Sequence, residues 1–254
     1  MSGWLKIVGL GPGDEALITP DVTQALEEAT DIVGYIPYVA RVTGGTGRQG
    51  QKAHPSDNRV EIERARQALE LATAGGRVAV VSSGDPGVFA MAAAVFEALE
   101  AGPDKWRDLD ITVMPGITAM LAAAARAGAP LGHDFCVINL SDNMKPWALI
   151  ETRLKLAAEA DFAMAFYNPR SRARPQGFGR ALDILRLACG PDRIILFARA
   201  VSTDQEELQI TTLAAATPEM ADMRTMVIVG SSLTRVIERP GQTPFVYTPR
   251  MALP

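Results

Sequence analysis

Short apolar runs alternate with longer amphipathic stretches along the whole chain. The runs at 5–9, 32–35, 78–82, 111–114, 135–138, 162–166, 194–198 and 226–230 only partly alternate apolar with polar positions. That is the pattern of strands covered on both faces. Between them, helical spacing predicts helices near 60–74, 87–100, 117–127, 147–159, 177–188 and 212–216. A further helix starts at Thr19-Pro20-Asp21, a threonine cap with proline at the first helical position. Ser56, Asp57 and Asn58 are the candidate caps of the 60–74 helix. This βαβα rhythm predicts an α/β protein with mostly parallel sheets.

Two stretches break the rhythm. Residues 44–58 (GGTGRQGQKAHPSDN) carry almost nothing to bury and read as a loop, a surface insertion or a lid. Residues 128–133 (GAPLGH) are rich in glycine and proline and look like a passage between two halves. The expected domains are 1–116 and 117–254, each α/β. A chain of 254 residues is long enough for both.

Composition then removes several classes of function. Two cysteines, Cys136 and Cys189, exclude a disulfide framework and a four-cysteine zinc or iron–sulfur site. Two histidines, His54 and His133, make a histidine-based metal site unexpected, so no metal is predicted. No apolar run approaches about 20 residues, which argues against a membrane span. The start of the chain, MSGWLKIVGLGPGD, lacks a basic segment followed by a long apolar core, so no secretory signal is expected and the protein is placed in the cytoplasm. A net charge of −4 argues against a nucleic-acid partner, which usually calls for a basic surface.

The candidate chemistry sits in three glycine-rich turns. GLGPGD (9–14) follows the first strand and superficially suggests a dinucleotide fingerprint. The match fails at its third glycine, which is Asp14; Pro12 also removes a backbone N–H, and the helix starts only near Pro20. No phosphate-binding G-x-x-x-x-G-K-[ST] motif is present either. SSGDPG (82–87) and MPGITA (114–119) close two further strands and open helices. One such turn alone reads as punctuation of a strand–helix corner. Three of them point to a shared ligand crevice beyond the C-terminal strand ends.

In order and spacing, GLGPGD, SSGDPGVFAMA (82–92) and PGITAM (115–120) resemble the S-adenosylmethionine-dependent tetrapyrrole methyltransferases, over essentially the whole chain. GYIPYV (34–39), LSDNMKPW (140–147) and YNPRSRARP (167–175) are similar to the members that methylate precorrin-3B at C17 and contract its ring in cobalamin biosynthesis. The resemblance implies two α/β domains forming a trough, a homodimer, and a cofactor folded between the domains. It implies cofactor contacts from Pro12, Gly84, Asp85, Val88, Phe89, Thr118 and Ala119. Strand order adds Phe166, Tyr167, Ala200, Val201, Thr225 and Met226. Some relatives carry a cysteine-rich region for an iron–sulfur cluster; with two cysteines none is expected here.

Methyl transfer from a sulfonium is an in-line displacement that needs alignment more than acid or base, which agrees with the lack of a triad or metal cluster. Ring contraction adds a hydroxyl to deprotonate and a lactone to open, where a positioned acid or base helps. The candidates are Asp85, His133, Asp134, Asp142 and Tyr35, and the sequence does not rank them. Each has a plain structural alternative: a hydrogen-bonded loop histidine for His133, an Asx turn supporting Gly84 for Asp85, a helix cap near Pro146 for Asp142.

The implied substrate is a polycarboxylate, so an acidic protein must supply local positive charge. Arg170, Arg172, Arg174 and Arg180 fall in a stretch with no acidic residue and suit bidentate carboxylate binding. Arg41, Arg48, Lys52 and Arg59 give the 44–58 loop and its flanks a similar excess, with only Asp57 opposing. Tyr35, Tyr38 and Asn168 complete the expected substrate contacts. The competing readings are another family member acting at a different precorrin position or on RNA or a protein, a non-catalytic tetrapyrrole carrier, and a nicotinamide oxidoreductase.

Overall fold

The computed structural model describes residues 3–44 and 50–251. The chain divides into two compact units, Met1–Thr118 and Ala119–Pro254.

The first unit runs β1 (Trp4–Gly9), α1 (Pro20–Glu28), β2 (Asp31–Tyr35), α2 (Ile36–Thr43), β3 (Lys52–Ser56), α3 (Glu61–Thr73), β4 (Arg77–Ser82), α4 (Met91–Ala101) and β5 (Asp110–Met114). Its five strands are all parallel, in the order β3-β2-β4-β1-β5. β1 and β4 are apolar without strict alternation because helices cover both faces. Leu5, Ile7, Val78 and Val80 face α3 and α4, while Val8, Ala79 and Val81 pack with α1 and Ile32. Thr19 caps α1 by accepting the Val22 N–H, as the Thr-Pro-Asp signature predicts.

Two expectations fail here. α3 is preceded by Val60 with no side-chain cap, so none of Ser56, Asp57 and Asn58 caps it. Part of the expected 44–58 loop is the edge strand β3, whose sequence KAHPS is polar because it flanks the sheet on one side only. Arg48 lies outside the described residues.

The second unit runs α5 (Ala119–Ala127), β6 (Gly128–Ala129), β7 (Phe135–Asn139), α6 (Trp147–Glu159), β8 (Ala163–Tyr167), α7 (Gly177–Cys189), β9 (Ile194–Arg199), β10 (Glu207–Thr212), β11 (Thr225–Val229), β12 (Arg235–Ile237) and β13 (Phe245–Tyr247). Its main sheet has the order β10-β9-β11-β8-β7. Only β7 and β8 pair in parallel; β11 runs antiparallel between β8 and β9, and β10 antiparallel on the edge. The parallel expectation therefore holds for the first sheet, and the second is mixed. The expected helix at 212–216 is absent: β10 ends at Thr212 and a hydrogen-bonded turn follows. α6 and α7 cover the sheet and bury Ile150, Leu154, Phe178, Leu182 and Leu185 against Met164, Phe166 and Phe197. Phe178 and Phe197 meet edge to face at 6.0 Å.

One carboxylate ties together the sheet edge below these strands. Asp161, in a left-handed conformation (φ 55°) just after α6, accepts from Arg193 Nη1 at 2.7 Å, from the Ser232 N–H at 2.8 Å and from the Ser232 hydroxyl. Burial pushes the Asp161 carboxyl up, but the hydrogen bonds from Ser232 and Arg193 outweigh it and hold it below the usual aspartate value. A depressed folded-state value means stability that is present above the unfolded value and lost as pH falls through the folded one. Asp161→Asn should lower stability by about 1 kcal/mol at neutral pH, modest because the group is partly solvated. It should also flatten the acid side of the stability profile, as read by urea melts between pH 2 and 7. A variant whose profile overlays that of the parent would contradict this role.

Among the described residues, no helix is long and apolar enough to cross a membrane, and no three His, Cys, Asp or Glu side chains group to hold a metal ion.

Candidate active site

Sheet order decides which of the three turns can cooperate. The turns of the first unit follow β1, β4 and β5, and these strands are neighbours in the order β4-β1-β5. Their C-terminal ends therefore bring Pro12, Gly84, Asp85 and Thr118 onto one edge. Gly11 and Gly84 exchange backbone hydrogen bonds at 3.2 and 2.8 Å. The Gly84 carbonyl oxygen lies 2.2 Å from where a Cβ on Gly116 would stand, and Gly9 Cα lies 2.9 Å from it, so only glycine allows the backbones this close. Asp85 joins the second turn to the third: Oδ1 accepts the Gly87 N–H at 2.8 Å and Oδ2 the Gly116 N–H at 3.0 Å. Both oxygens are engaged by backbone, the turn-building role considered for Asp85. Arg41 reaches from α2 to the Leu10 carbonyl at 2.8 Å and, more distantly, to those of Gly11 and Asp14, which fixes the first turn.

Beside these turns stand the remaining first-unit candidates. Val88 donates its N–H to the Asp85 carbonyl at 3.2 Å. Phe89 follows at φ 53° with half its surface exposed, a conformation an aromatic residue seldom adopts and one that collects at functional sites. Tyr35 ends β2, next to β4, and its ring meets Tyr38 edge to face at 5.4 Å. Burial pushes the Tyr38 hydroxyl up, opposed by a hydrogen bond with Ser83 of the second turn, so Tyr38 stays protonated.

Arg64 was not singled out by its sequence context. It is 3% exposed, on the buried face of α3 with Ala65, Ala68 and Leu69. Its guanidinium donates to Ser56 Oγ at 2.7 Å and the Asp57 carbonyl at 2.6 Å, which holds the exit from β3. The only signal for it was an arginine at helical spacing within an apolar stripe.

In the second unit, antiparallel β11 begins at the edge where β8 and β9 end, with Thr225 opposite Arg199 and Val227 opposite Phe166. Tyr167, Asn168, Ala200, Val201, Thr225 and Met226 therefore share one edge. The Tyr167 hydroxyl accepts the Met120 N–H at 3.2 Å, which brings Ala119 and the start of α5 to the same place. Asn168 and Ala200 both adopt left-handed conformations, φ 52° and 48°. Asn168 Nδ2 donates to Asn139 Oδ1 at 3.2 Å, and that oxygen also accepts the Ser141 N–H at 2.9 Å. Phe166 departs from expectation: its side chain is fully buried in the core, so only its backbone can meet a ligand. Burial pushes the Asp222 carboxyl up, but hydrogen bonds from Thr225 and Arg199 outweigh this and hold it low, anchoring the start of β11.

Two acid–base candidates stand on the other edge of this sheet. His133 and Asp134 precede β7, which runs parallel to β8, so they lie on the edge opposite Asn139 and Tyr167. His133 Nδ1 accepts the Asp134 N–H at 2.7 Å, the loop role considered for it. Asp142 is on the right edge, but it caps nothing: Pro146 precedes α6 without a side-chain bond, and Asp142 lies 3.8 Å from Arg174 Nε. Of the arginines, Arg170 approaches Glu219 at 3.7 Å, Arg172 is exposed, and Arg174 is largely buried. Arg180 instead stacks over Trp147 at 4.6 Å.

The interlocked turns generate a direct expectation. Asp85→Ala leaves the Gly87 and Gly116 N–H groups unmet and should destabilise the first unit by about 1–3 kcal/mol. Gly116→Ala should do at least as much, because the Gly84 backbone must move. Thermal melts of the two variants check this, and parent-like melting would show that the turns do not depend on each other.

The chain matches the family model of Tetrapyrrole (Corrin/Porphyrin) Methylases over residues 5–217. It is 50% identical over 250 residues to a precorrin-3B C(17)-methyltransferase from Sinorhizobium sp, covering 98% of this chain and 97% of that one. A probable cobalt-factor III C(17)-methyltransferase from Salmonella typhimurium is 40% identical, over 96% of this chain and 99% of that one. The solved structure of the methyltransferase CobJ superposes with a TM-score of 0.92 at 62% identity, covering 98% of this chain and all of that one. With its three turns at the C-terminal strand ends and these matches along nearly its full length, the chain belongs to the tetrapyrrole methylase family.

Proposed function

We propose that the protein transfers the methyl group of S-adenosylmethionine to C17 of precorrin-3B and contracts the macrocycle. The products are precorrin-4 and S-adenosylhomocysteine, formed in the cytoplasm during cobalamin biosynthesis. The observation that carries this reading is the 50% identity, over nearly the whole of both chains, to a relative named for that reaction. S-adenosylmethionine supplies an electrophilic methyl group. The residues suit such a cofactor: the glycine turns expose backbone beside the half-exposed Phe89 ring, and Ala200 is small and held at φ 48°. We assign cofactor contacts to the backbone at Pro12, Gly84, Asp85 and Phe166, and to Val88, Phe89, Thr118, Ala119, Tyr167, Ala200, Val201, Thr225 and Met226.

The chain's own residues have two tasks in this reading. The first is to hold C17 about 3–3.5 Å from the methyl carbon and in line with it. Tyr38, Asn168, Arg170, Arg172 and Arg174 serve here by fixing the macrocycle and its carboxylates. The second is to move the proton during contraction. With Asp85 occupied by backbone, His133 and Asp134 on the other edge and Asp142 beside Arg174, Tyr35 is left, next to protonated Tyr38. We also infer a homodimer; the exposed Val113 on edge strand β5 and Phe96 on α4 are apolar surface available for it.

Anaerobic incubation with S-adenosylmethionine and either precorrin-3B or cobalt-factor III tests the reaction, read by mass spectrometry and absorbance. The expected result is a one-methyl gain with a ring-contracted chromophore, faster on precorrin-3B. No methyl gain on either macrocycle would end this reading. Tyr35→Phe is expected to keep the methyl gain and to slow the chromophore change by about 100-fold, the usual range for a lost acid or base. Equal slowing of both steps would remove Tyr35 from proton transfer. Arg170→Ala with Arg172→Ala should weaken precorrin-3B binding about tenfold or more and leave S-adenosylmethionine binding unchanged; loss of cofactor binding instead would contradict their assignment.

A further inference from the structure

The loop after β7 gathers more positive charge than its neighbours balance. Lys145 Nζ donates to the Ser141 carbonyl at 2.9 Å, one acceptor for a group with three donors. Arg174 comes to the same short segment: Nη1 is 3.4 Å from the Leu140 carbonyl and Nε 3.8 Å from Asp142 Oδ1. Its third contact, Nη2 to the Met223 sulfur, is 3.9 Å. The Arg174 side chain is only 15% exposed, yet none of these distances is that of a good hydrogen bond. Such a guanidinium is desolvated without being well paired, an arrangement that an incoming anion improves. Nearby, Arg170 shows the same deficit: its Nε is buried with no partner among the described residues, and its ion pair with Glu219 is 3.7 Å long.

We propose that Lys145 and Arg174 form a clamp for one side-chain carboxylate of the macrocycle. This rests on the reading of the substrate as a polycarboxylate and adds to it Lys145, which lies in the LSDNMKPW segment but was not among the expected substrate contacts. Burial, followed by the neighbouring Arg153 and Arg174 charges, pulls the Lys145 ammonium below the usual lysine range, with Asp142 opposing. A bound carboxylate reverses that crowding and gives Lys145 and Arg174 the charge-assisted bonds they lack, about 2.7–2.9 Å long. Asp142 is the carboxylate beside Arg174, and at 3.8 Å it stands beyond hydrogen-bond distance, so it does not fill the position.

The test uses the full chain and two ligands. Uroporphyrin III, a porphyrin with eight carboxylates, reports the subsite alone by fluorescence titration, and precorrin-3B reports the reaction. Lys145→Met should weaken binding of both about tenfold and leave S-adenosylmethionine binding unchanged, while Lys145→Arg should bind within about threefold of the parent. In the parent, trace acetylation read by peptide mass spectrometry should mark Lys145 and be suppressed by uroporphyrin III but not by S-adenosylmethionine. Parent-like binding by Lys145→Met, with acetylation unaffected by the porphyrin, overturns the clamp even if precorrin-3B is methylated. Protection of Lys145 with no methylation of precorrin-3B leaves the clamp standing and removes the proposed reaction.

Discussion

The first unit depends on three backbones meeting where no side chain fits. Gly9, Gly84 and Gly116 lie so close that a methyl group on Gly116 would stand 2.2 Å from the Gly84 carbonyl oxygen. This approach fixes the ends of β4, β1 and β5 relative to one another. Asp85 then converts proximity into connection, because one carboxylate bonds to two turns. Everything beside these turns inherits the arrangement: Ser83 is set against Tyr38, and Phe89 is turned outward at φ 53°. The strained aromatic is tolerated because the turn around it is over-determined.

The second unit meets a comparable demand with polar side chains. Tyr167 accepts from the start of α5, Asn168 and Ser141 share the Asn139 oxygen, and Asp222 holds Thr225 and Arg199. Such bonds position loops without requiring glycine, and three of them, Tyr167 to Met120, Asn168 to Asn139 and Arg199 to Asp222, join segments distant in sequence. Ala200 and Ser202, at φ 48° and 62°, show that this edge also carries strained backbone.

Much of the fold was legible because buried strands are apolar runs. The strands at 78–82 and 194–198 and the helix at 147–159 follow directly from residue spacing. β3 was not, because an edge strand reading KAHPS buries little. β10 was not either: Leu208 and Ile210 alternate with polar residues outside the longer apolar runs, and the 212–216 stretch following them has the composition of a helix but folds as a turn. Direction is the deeper limit. Nothing local in TMVIV says that β11 runs against its neighbours, and that reversal is what brings Thr225 to the edge where Tyr167 stands. The glycine turns were legible one by one, while their contact depends on strand order. His133 illustrates the converse, since its place before β7 puts it on the opposite edge. Arg64 gave almost no local signal, and Lys145 stood inside LSDNMKPW without being singled out, because an arginine in a helix and a lysine in a loop are ordinary until burial and neighbours are known.

The division of each sheet into a working edge and an opposite one leaves the protein two kinds of loop to vary. Opposite the turns, Gly75 sits at a tip where an added Cβ meets nothing within 4 Å, and the same holds for Gly190 before β9. The connection at Asp161 is unlike these, stapled to Arg193 and Ser232. Lineages can therefore lengthen the tips at 75 and 190, or an engineer can insert a reporter domain there, while the strand ends keep their spacing. The same insertion at 84, 116 or 161 would separate backbone that the rest of its unit is built around.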